Sequence, residues 1–153
     1  MLLSKSWIVA IVTIQELNSK RLEIIQDIQA RDPEARILIM GDFNDDPQSI
    51  AVRDHLVSTD FYNPMVFLLT RYAGSLTHRG DWYLFDQIIL SPNWMKAYDN
   101  PLEYENSAIY NPDHLKEQEG KNRGNPLRTY AGDKYLGGFS DHFPVYTIFK
   151  VED

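Results

Sequence analysis

The chain has 153 residues, 43% of them hydrophobic, which is enough to bury the core of a single domain. Its 15 Lys and Arg residues against 22 Asp and Glu residues leave a formal net charge of -7. This charge gives no strong case for a broad basic surface that binds nucleic acid. The absence of cysteine excludes disulfides and thiolate metal sites and carries no information on the compartment.

The first part of the sequence predicts a strand, a helix and a second strand. "WIVAIVTI" at residues 7–14 is too short to span a bilayer, and its β-branched residues favour a buried strand over a signal peptide. Residues 15–31 place apolar side chains close to helical spacing and predict a surface helix that ends at "DPEA". "RILIM" at residues 36–40 predicts the next strand, and this order of elements favours a parallel crossover.

The rest of the chain predicts a helix, a hairpin, long loops and a final strand. Residues 48–58 predict a helix with Pro47 near its first turn. "GSLTHRGDWYLFDQIILS" at residues 74–91 predicts a hairpin that turns at "GD". Residues 99–138 predict long loops with one short strand around "SAIY", and the last segment, residues 139–151, closes on a strand in which Val145, Thr147 and Phe149 alternate with the residues between them. The sequence shows no internal repeat and no domain boundary.

Three short polar clusters accompany the predicted strands. "GDFN" at residues 41–44 follows a strand, "FDQIILS" at residues 85–91 lies within one, and "SDHFP" at residues 140–144 precedes one. Strand ends are places where a rigid scaffold meets solvent, so side chains there can converge on a ligand.

Five residues of these clusters have chemistry that fits together. Asp42, Asp86 and Asp141 offer hard oxygen donors of the kind that suits Mg²⁺. Asn44 can donate a hydrogen bond to a phosphate oxygen, and His142 can move a proton near neutral pH. Asp86 lies in an apolar strand, where a carboxylate without a partner is costly, so a functional role for Asp86 is harder to dismiss than one for an acid in a turn.

The three motifs, in this order, resemble the endonuclease/exonuclease/phosphatase superfamily of DNase I-like proteins, and the similarity extends from about Gln15 onward. The resemblance implies an α+β fold, a DNase I-like α/β sandwich of mixed sheets flanked by helices. Residues 1–153 would form a single partial domain, the C-terminal half of that fold. The implied function is metal-dependent hydrolysis of phosphodiester or phosphomonoester bonds.

The resemblance also implies a role for each motif residue. Asp42 would position or deprotonate the attacking water, and Asn44 would hold that water or a phosphate oxygen. His142 would face the scissile phosphate as acid, base or charge stabiliser, with Asp86 fixing its tautomer and orientation. Asp141, together with Asp42, would bind Mg²⁺ or Mn²⁺, which would offset charge on the phosphate oxygens.

Plainer interpretations of the same residues remain open. An Asp-x-Asn sequence after a strand is often a turn that hydrogen-bonds its own backbone, and "SDH" is also compatible with a polar loop. His78 and Arg79 are weaker candidates for phosphate contacts. His55 and His114 are expected to be solvated. Four further cations belong either to a lid that faces the substrate or to a solvated loop, namely Lys116, Lys121, Arg123 and Arg128.

The sequence departs from the family pattern in its first part. Family members usually carry an Asn and a metal-binding Glu in a preceding half, and a segment with a further His; "QE" at Gln15 and Glu16 is interpreted as a coincidence. One half of the fold would expose an inner sheet face, so we expect self-association as a homodimer, or completion by a missing N-terminal half. The sequence leaves activity open: the alternative is a catalytically inactive homologue that binds a ligand or a protein.

Overall fold

The computed structural model of the chain describes residues 7–11, 20–55, 60–95 and 102–151. The described part combines two helices with nine strands, and short 3₁₀ turns connect several of them. The elements in chain order are β1 (Trp7–Ile11), α1 (Lys20–Arg31), β2 (Arg36–Asp42), α2 (Ile50–His55), β3 (Leu76–His78), β4 (Asp81–Tyr83), β5 (Asp86–Leu90), β6 (Leu102–Ile109), β7 (Tyr130–Ala131), β8 (Lys134–Tyr135) and β9 (Val145–Val151).

The opening strand, helix and strand agree with the sequence where the structure describes them, and the predicted end of the first strand and start of the helix, at residues 12–19, lie outside the described residues. Helix α1 ends at Arg31, before Asp32 and Pro33, because proline cannot continue a helix and disfavours helical geometry in the residue before it. β1 pairs in parallel with β2, from Trp7 opposite Arg36 onward, which confirms the predicted parallel crossover. β2 continues through Asp42 and therefore contains the first two residues of "GDFN".

The central sheet has the strand order β1-β2-β5, and its two faces are buried against different layers. On one face, Ile37, Ile39 and Ile89 pack in a core that includes Ile25 of α1 and Val52 of α2.

The opposite face of β2 and β5 packs against the two-stranded sheet formed by β6 and β9. Its core contains Ile88 and Leu90 with the partly buried Leu38, Val145 and Phe149. Helices, central sheet and second sheet thus form three layers. This arrangement holds β5 rigidly between two apolar layers, and the strand positions the site described below.

The hairpin departs from the prediction in two ways. Its turn is formed by Arg79 and Gly80, with φ of 54° and 96°, and Asp81 instead pairs with His78 in the ladder. Two successive positive φ values match the primed turns that suit the twist of a hairpin. The predicted second strand is also divided: β4 ends at Tyr83, and β5 pairs with β2 in the central sheet.

Two other boundaries differ from the prediction. The short strand expected around "SAIY" is the end of an eight-residue strand, β6, which pairs antiparallel with β9. Helix α2 begins at Ile50, three residues after Pro47, and the Ser49 Oγ accepts a hydrogen bond from the Val52 N–H at 3.2 Å. Ser49 is therefore the N-terminal cap, and Pro47 lies in the preceding turn. The predicted end of this helix falls at residues 56–59, outside the described residues.

The exposed inner sheet face from which self-association was expected is covered where the structure describes it. β2 and β5 are buried on both faces, by the helices and by β6 and β9. The apolar side chains exposed on the second sheet are Tyr146, Ile148 and Val151 of β9. Self-association stays a prediction. None of the helices in the described ranges has the length and apolar character needed to cross a membrane.

Candidate functional site

The centre of the site is a hydrogen bond between Asp86 and His142, residues 56 positions apart in the sequence. The distance between His142 Nδ1 and Asp86 Oδ2 is 2.7 Å. An ionised carboxylate only accepts hydrogen bonds, so Nδ1 carries the proton and donates it to Asp86. Nε2 then has no hydrogen-bond partner among the described residues and is available to a ligand. The expected partner of Asp86 is present.

The segment that carries His142 is held against β3 by backbone contacts. Leu76 and His142 form an isolated antiparallel bridge, and the Phe143 N–H donates to the Ser75 carbonyl at 2.7 Å. Ser140 Oγ accepts from the His142 N–H at 3.1 Å. Phe143, only 1% exposed, stacks on Trp82 with ring centroids 6.2 Å apart. The imidazole therefore projects from a rigid support.

The surroundings of His142 favour its protonated form. The hydrogen bond to Asp86 raises the pKa of His142 above its ordinary value, and the negative charges of Asp86, Asp141 and Asp42 raise it further, against the opposing effect of burial. Both members of the pair remain about one-fifth exposed. The imidazolium is thus stabilised by carboxylates and still reachable from solvent.

"GDFN" forms a turn that presents Asp42 and Asn44 at the end of β2. The Asp42 Oδ1 accepts a hydrogen bond from the Asn44 N–H at 2.8 Å, and Asn44 adopts φ of 49°, a conformation that Asn tolerates better than most residues. The plainer interpretation of this sequence as an Asx turn is therefore correct for one carboxylate oxygen. Phe43 is fully buried, and its N–H donates to the Phe85 carbonyl at 2.7 Å, which fixes the turn beside β5.

The five residues singled out in the sequence lie at one edge of the structure. Asp42 is the cross-strand partner of Asp86 in the β2–β5 ladder, and Asn44 follows it by two residues. Asp141 directly precedes His142, and the charges of Asp141 and Asp42 both act on the imidazole. The roles assigned to these residues remain predictions.

The donor set fits a metal ion only in part. Among the described residues, no three or more His, Asp or Glu side chains are grouped closely enough to hold a metal. Mg²⁺ is commonly bound through one or two carboxylates, with waters and substrate phosphate oxygens as its other ligands. Asp42 and Asp141 are suited to that mode. Gln15 and Glu16 lie outside the described residues.

A buried amide network behind the turn was not foreseen from the sequence. Asn63 Nδ2 donates to Gln87 Oε1 at 2.7 Å, and Gln87 Nε2 donates to the Asp45 carbonyl at 2.7 Å. Asn63 Oδ1 in turn accepts from the Met65 N–H at 3.0 Å. Gln87 neighbours Asp86 on β5, so this network ties the strand that carries Asp86 to the loop that carries Asn44. A glutamine inside an apolar strand was the available signal.

The second of the two acids after "GDFN" braces the same loop. The Asp46 Oδ1 accepts a hydrogen bond from the Leu84 N–H at 2.8 Å, across the break between β4 and β5. Burial raises the pKa of Asp46, opposed by this hydrogen bond, and the nearby charge of Asp45 raises it further. Asp46 therefore supports the loop that presents the site.

The cations suggested by the sequence are divided between solvent and a groove. Lys116 pairs with Asp113 at 3.3 Å, on the surface. His78 and Arg79 line a groove together with Lys121 and Arg128 and make no hydrogen bond to the Asp86–His142 pair. His114 is exposed within a 3₁₀ turn and is distant in sequence from the three motifs. His55 is the last residue of α2.

The Asp86–His142 hydrogen bond is expected to make stability depend on pH. Because the folded-state pKa of His142 is raised, its contribution is fully present below the unfolded pKa of about 6.5 and is lost as pH rises through the raised pKa. In metal-free buffer, we expect His142→Asn to lower the free energy of unfolding by on the order of 1 kcal/mol at about pH 6, and by less at about pH 9. Urea unfolding measures this, and a cost that does not fall with pH would contradict it.

The fold of the chain is similar to the folds of solved structures. A mannosyl-6-phosphatase from Bacteroides thetaiotaomicron matches with a TM-score of 0.52 and 14% identity, over 95% of this chain and 51% of that one. An endonuclease/exonuclease/phosphatase from Bacteroides vulgatus matches with a TM-score of 0.44 and 17% identity, over 86% of this chain and 42% of that one. The chain thus spans about half the length of the solved structures it matches.

The likeness to the mannosyl-6-phosphatase structure, with a TM-score of 0.52, confirms the predicted DNase I-like α+β fold. No curated protein sequence matches the chain. The family model described as "Endonuclease/Exonuclease/phosphatase family" matches residues 15–151, nearly the whole chain. That match confirms the resemblance seen in the three motifs, and the chain belongs to the endonuclease/exonuclease/phosphatase family.

Proposed function

We propose that the chain is a metal-dependent phosphoesterase that hydrolyses a phosphomonoester or phosphodiester bond at the Asp86–His142 pair. The observation that carries the proposal is the 2.7 Å hydrogen bond between these side chains, at the same edge as Asp42 and Asn44. A histidine oriented by a carboxylate, beside further acids and an amide, is an arrangement suited to hydrolysis of a phosphate ester.

The orientation of His142 determines its part in the reaction. Since Nδ1 donates to Asp86, Nε2 faces the ligand, and in the imidazolium form Nε2–H donates to an oxygen of the scissile phosphate. Its positive charge stabilises the negative charge that develops on the phosphoryl oxygens. Asp86 keeps the imidazole in this orientation and compensates its charge.

Asp42 and Asn44 act on the attacking water. One oxygen of Asp42 is occupied by the Asn44 N–H, and the other is available to accept a proton from, or orient, the attacking water. The side-chain amide of Asn44 is exposed at the turn and donates to that water or to a phosphate oxygen. The strand and the buried Phe43 hold both groups in place, so little conformational entropy is lost on binding.

The proposed metal is Mg²⁺ or Mn²⁺, held by Asp141 and Asp42 with water and substrate oxygens. When bound, it supplies Lewis-acid stabilisation of the phosphate oxygens and of the alkoxide leaving group. The net charge of -7 makes such a cation useful, because a phosphate ester is repelled by the chain as a whole.

The comparisons support the reaction class and leave the substrate to experiment. The neighbour with a TM-score of 0.52 is named as a mannosyl-6-phosphatase, so a sugar phosphate monoester is the first substrate class to try. Function within one fold is decided by the site and its loops. We therefore rank a small phosphate ester above duplex DNA, in agreement with the acidic charge.

A second candidate function is binding of a phosphate-bearing ligand without turnover. One observation favours it: the described residues contain no group of three or more metal-ligating side chains. In that case the motif residues would act as a hydrogen-bonding site for the ligand alone. Binding of inorganic phosphate that is independent of Mg²⁺, with no hydrolysis, would support this second candidate.

The decisive assay is hydrolysis of p-nitrophenyl phosphate and bis(p-nitrophenyl) phosphate, with Mg²⁺, with Mn²⁺ and with EDTA. We expect release of nitrophenol that requires a divalent ion and is abolished in Asp42→Ala. The exposed Asp113 offers a matched control, since Asp113→Ala removes an acid that pairs only with Lys116. Release that is equal in Asp42→Ala and the unmodified chain would overturn the proposal.

A further inference from the structure

A groove with a volume of about 680 Å³ lies beside the site, between the β3–β4 hairpin and the loop that follows β6. Small-molecule sites typically span roughly 300–1,000 Å³, so the groove can hold a substrate-sized group. The hairpin contributes His78 and Arg79, and the loop contributes Lys121 and Arg128. Glu117 is the one carboxylate among the lining residues.

The charge of this groove is opposite to that of the chain. The chain carries a formal charge of -7, yet three permanent cations and a histidine line one concave surface. Elsewhere Arg31, Arg53 and Lys150 form ion pairs with Asp27, Asp54 and Glu103. No carboxylate in the described part of the chain forms an ion pair with Arg79, Lys121 or Arg128. Cations grouped without counterions attract an anion.

Arg128 connects the groove to the rest of the structure. Its Nη2 donates to the Thr77 carbonyl of β3 at 3.4 Å, and its own carbonyl accepts from the Gly138 N–H at 3.1 Å. The guanidinium is therefore held at the wall of the groove and is partly buried there. A positioned guanidinium loses less conformational entropy on binding an anion than a fully mobile one.

The groove and the imidazole of His142 are separated by a single stretch of chain. Leu127 and Phe139 line a small apolar pocket of about 60 Å³ with His142, whereas Pro126 and Arg128 line the groove. β3 makes the second connection, because Leu76 bridges to His142 and the next two residues line the groove. The groove and the segment that carries His142 therefore lie along neighbouring residues of the same two stretches of chain.

We propose that the groove binds a second anionic group of the substrate, so that the chain acts on phosphate esters that carry a further phosphate. The inference rests on the proposed function for the identity of the first phosphate. Arg79 and Lys121 would bind the second phosphate by charge-assisted hydrogen bonds, with Arg128 at the wall. Glu117, Asn122 and Asn125 would face hydroxyl groups of the same ligand.

The test compares two ligands that differ by one phosphate, glucose 1,6-bisphosphate and glucose 6-phosphate. Binding is measured by calorimetry in EDTA, so that no metal-dependent turnover consumes the ligand, and at about 0.15 M ionic strength to screen diffuse attraction. We expect the bisphosphate to bind about tenfold more tightly or better, because one charge-assisted hydrogen bond contributes about a tenfold gain in affinity. Arg79→Gln and Lys121→Gln, both exposed and unpaired, are expected to reduce this preference to less than about threefold.

The matched control is Arg123→Gln, which removes the same charge from an exposed residue of the same loop that does not line the groove. The proposal requires this variant to keep the preference. Equal binding of the two ligands, no binding of either, or an equal loss of preference in Arg123→Gln would overturn it.

The two proposals fail in distinguishable ways. A preference that is lost in the groove variants, without any hydrolysis in Mg²⁺, would support the groove as an anion site and overturn the phosphoesterase function. Hydrolysis of both ligands with unchanged preference in Arg79→Gln and Lys121→Gln would overturn the groove and leave the function intact.

Discussion

Substitution of His142 by alanine is expected to reduce metal-dependent hydrolysis by about 10²–10⁴-fold, the range that general acid–base catalysis contributes. In the proposed mechanism Nε2 of His142 faces the scissile phosphate, and in the described residues no other histidine is hydrogen-bonded to a carboxylate. Because the effect falls on the transition state, kcat should fall far more than KM rises. Initial rates over a range of substrate concentrations measure both constants.

Asp86→Asn tests the part that Asp86 plays in orienting and charging His142, separately from the part that the imidazole itself plays in the reaction. The amide side chain can accept the Nδ1 hydrogen bond but carries no charge, so the hydrogen bond that most raises the pKa of His142 is weakened and the contribution of the Asp86 charge is lost. We expect a smaller loss of kcat than in His142→Ala and a pH profile whose basic limb moves to lower pH. His114→Ala, at an exposed position, is the matched control. Full activity in His142→Ala would show that the hydrogen-bonded pair is not the catalytic centre.

Substitution of Phe43 by alanine is expected to lower the free energy of unfolding by about 3–5 kcal/mol, the usual cost of removing a large buried aromatic side chain. Phe43 is fully buried in the core with Ile37, Ile39 and Val52. The loss is large against the roughly 5–15 kcal/mol that stabilises a typical domain. Urea unfolding followed by fluorescence measures it.

The control for Phe43 is Phe67, which is 75% exposed. Phe67→Ala is expected to change stability by less than about 0.5 kcal/mol, as surface substitutions usually do. Phe43→Leu should recover much of the loss and retain the turn between Asp42 and Asn44. A cost below about 1 kcal/mol for Phe43→Ala would show that this aromatic residue does not anchor the turn.

The motifs were predictable because each is local in the sequence. A buried strand followed by "GDFN" fixes where Asp42 and Asn44 stand, since strand ends are determined by hydrophobic periodicity and turn chemistry. The hydrogen bond between Asp86 and His142 was implied by the resemblance of the motifs to the family, and the structure contains it. The fold class was implied by the resemblance of the three motifs to the endonuclease/exonuclease/phosphatase superfamily.

Features that depend on distant contacts were not predictable. β6 contains Glu103, Glu105 and Asn106, which are poor strand formers, and it is a strand because it pairs with β9 across more than thirty intervening residues. The hydrogen bond between Asn63 and Gln87 joins residues 24 positions apart. Neither partner alone signals the other in the sequence.

The groove depends on the same kind of long-range arrangement. The sequence left Lys121 and Arg128 either in a lid that faces the substrate or in a solvated loop, and in the structure the hairpin brings His78 and Arg79 opposite to them. The turn at Arg79 and Gly80 directs these side chains, whereas a turn at Gly80 and Asp81 would have changed the register of the hairpin. That cations from the hairpin and from the loop line one groove was therefore visible only in the folded structure.

The central claim is that the three motifs form one phosphate site, and it is tested most directly by titration of the ¹⁵N-labelled chain with inorganic phosphate and Mg²⁺, followed by amide NMR. The account predicts saturable shifts concentrated at residues 41–45, at Asp86 and at residues 140–143, and their loss in His142→Ala. Shifts that leave these segments unchanged, or that persist in His142→Ala, would contradict it.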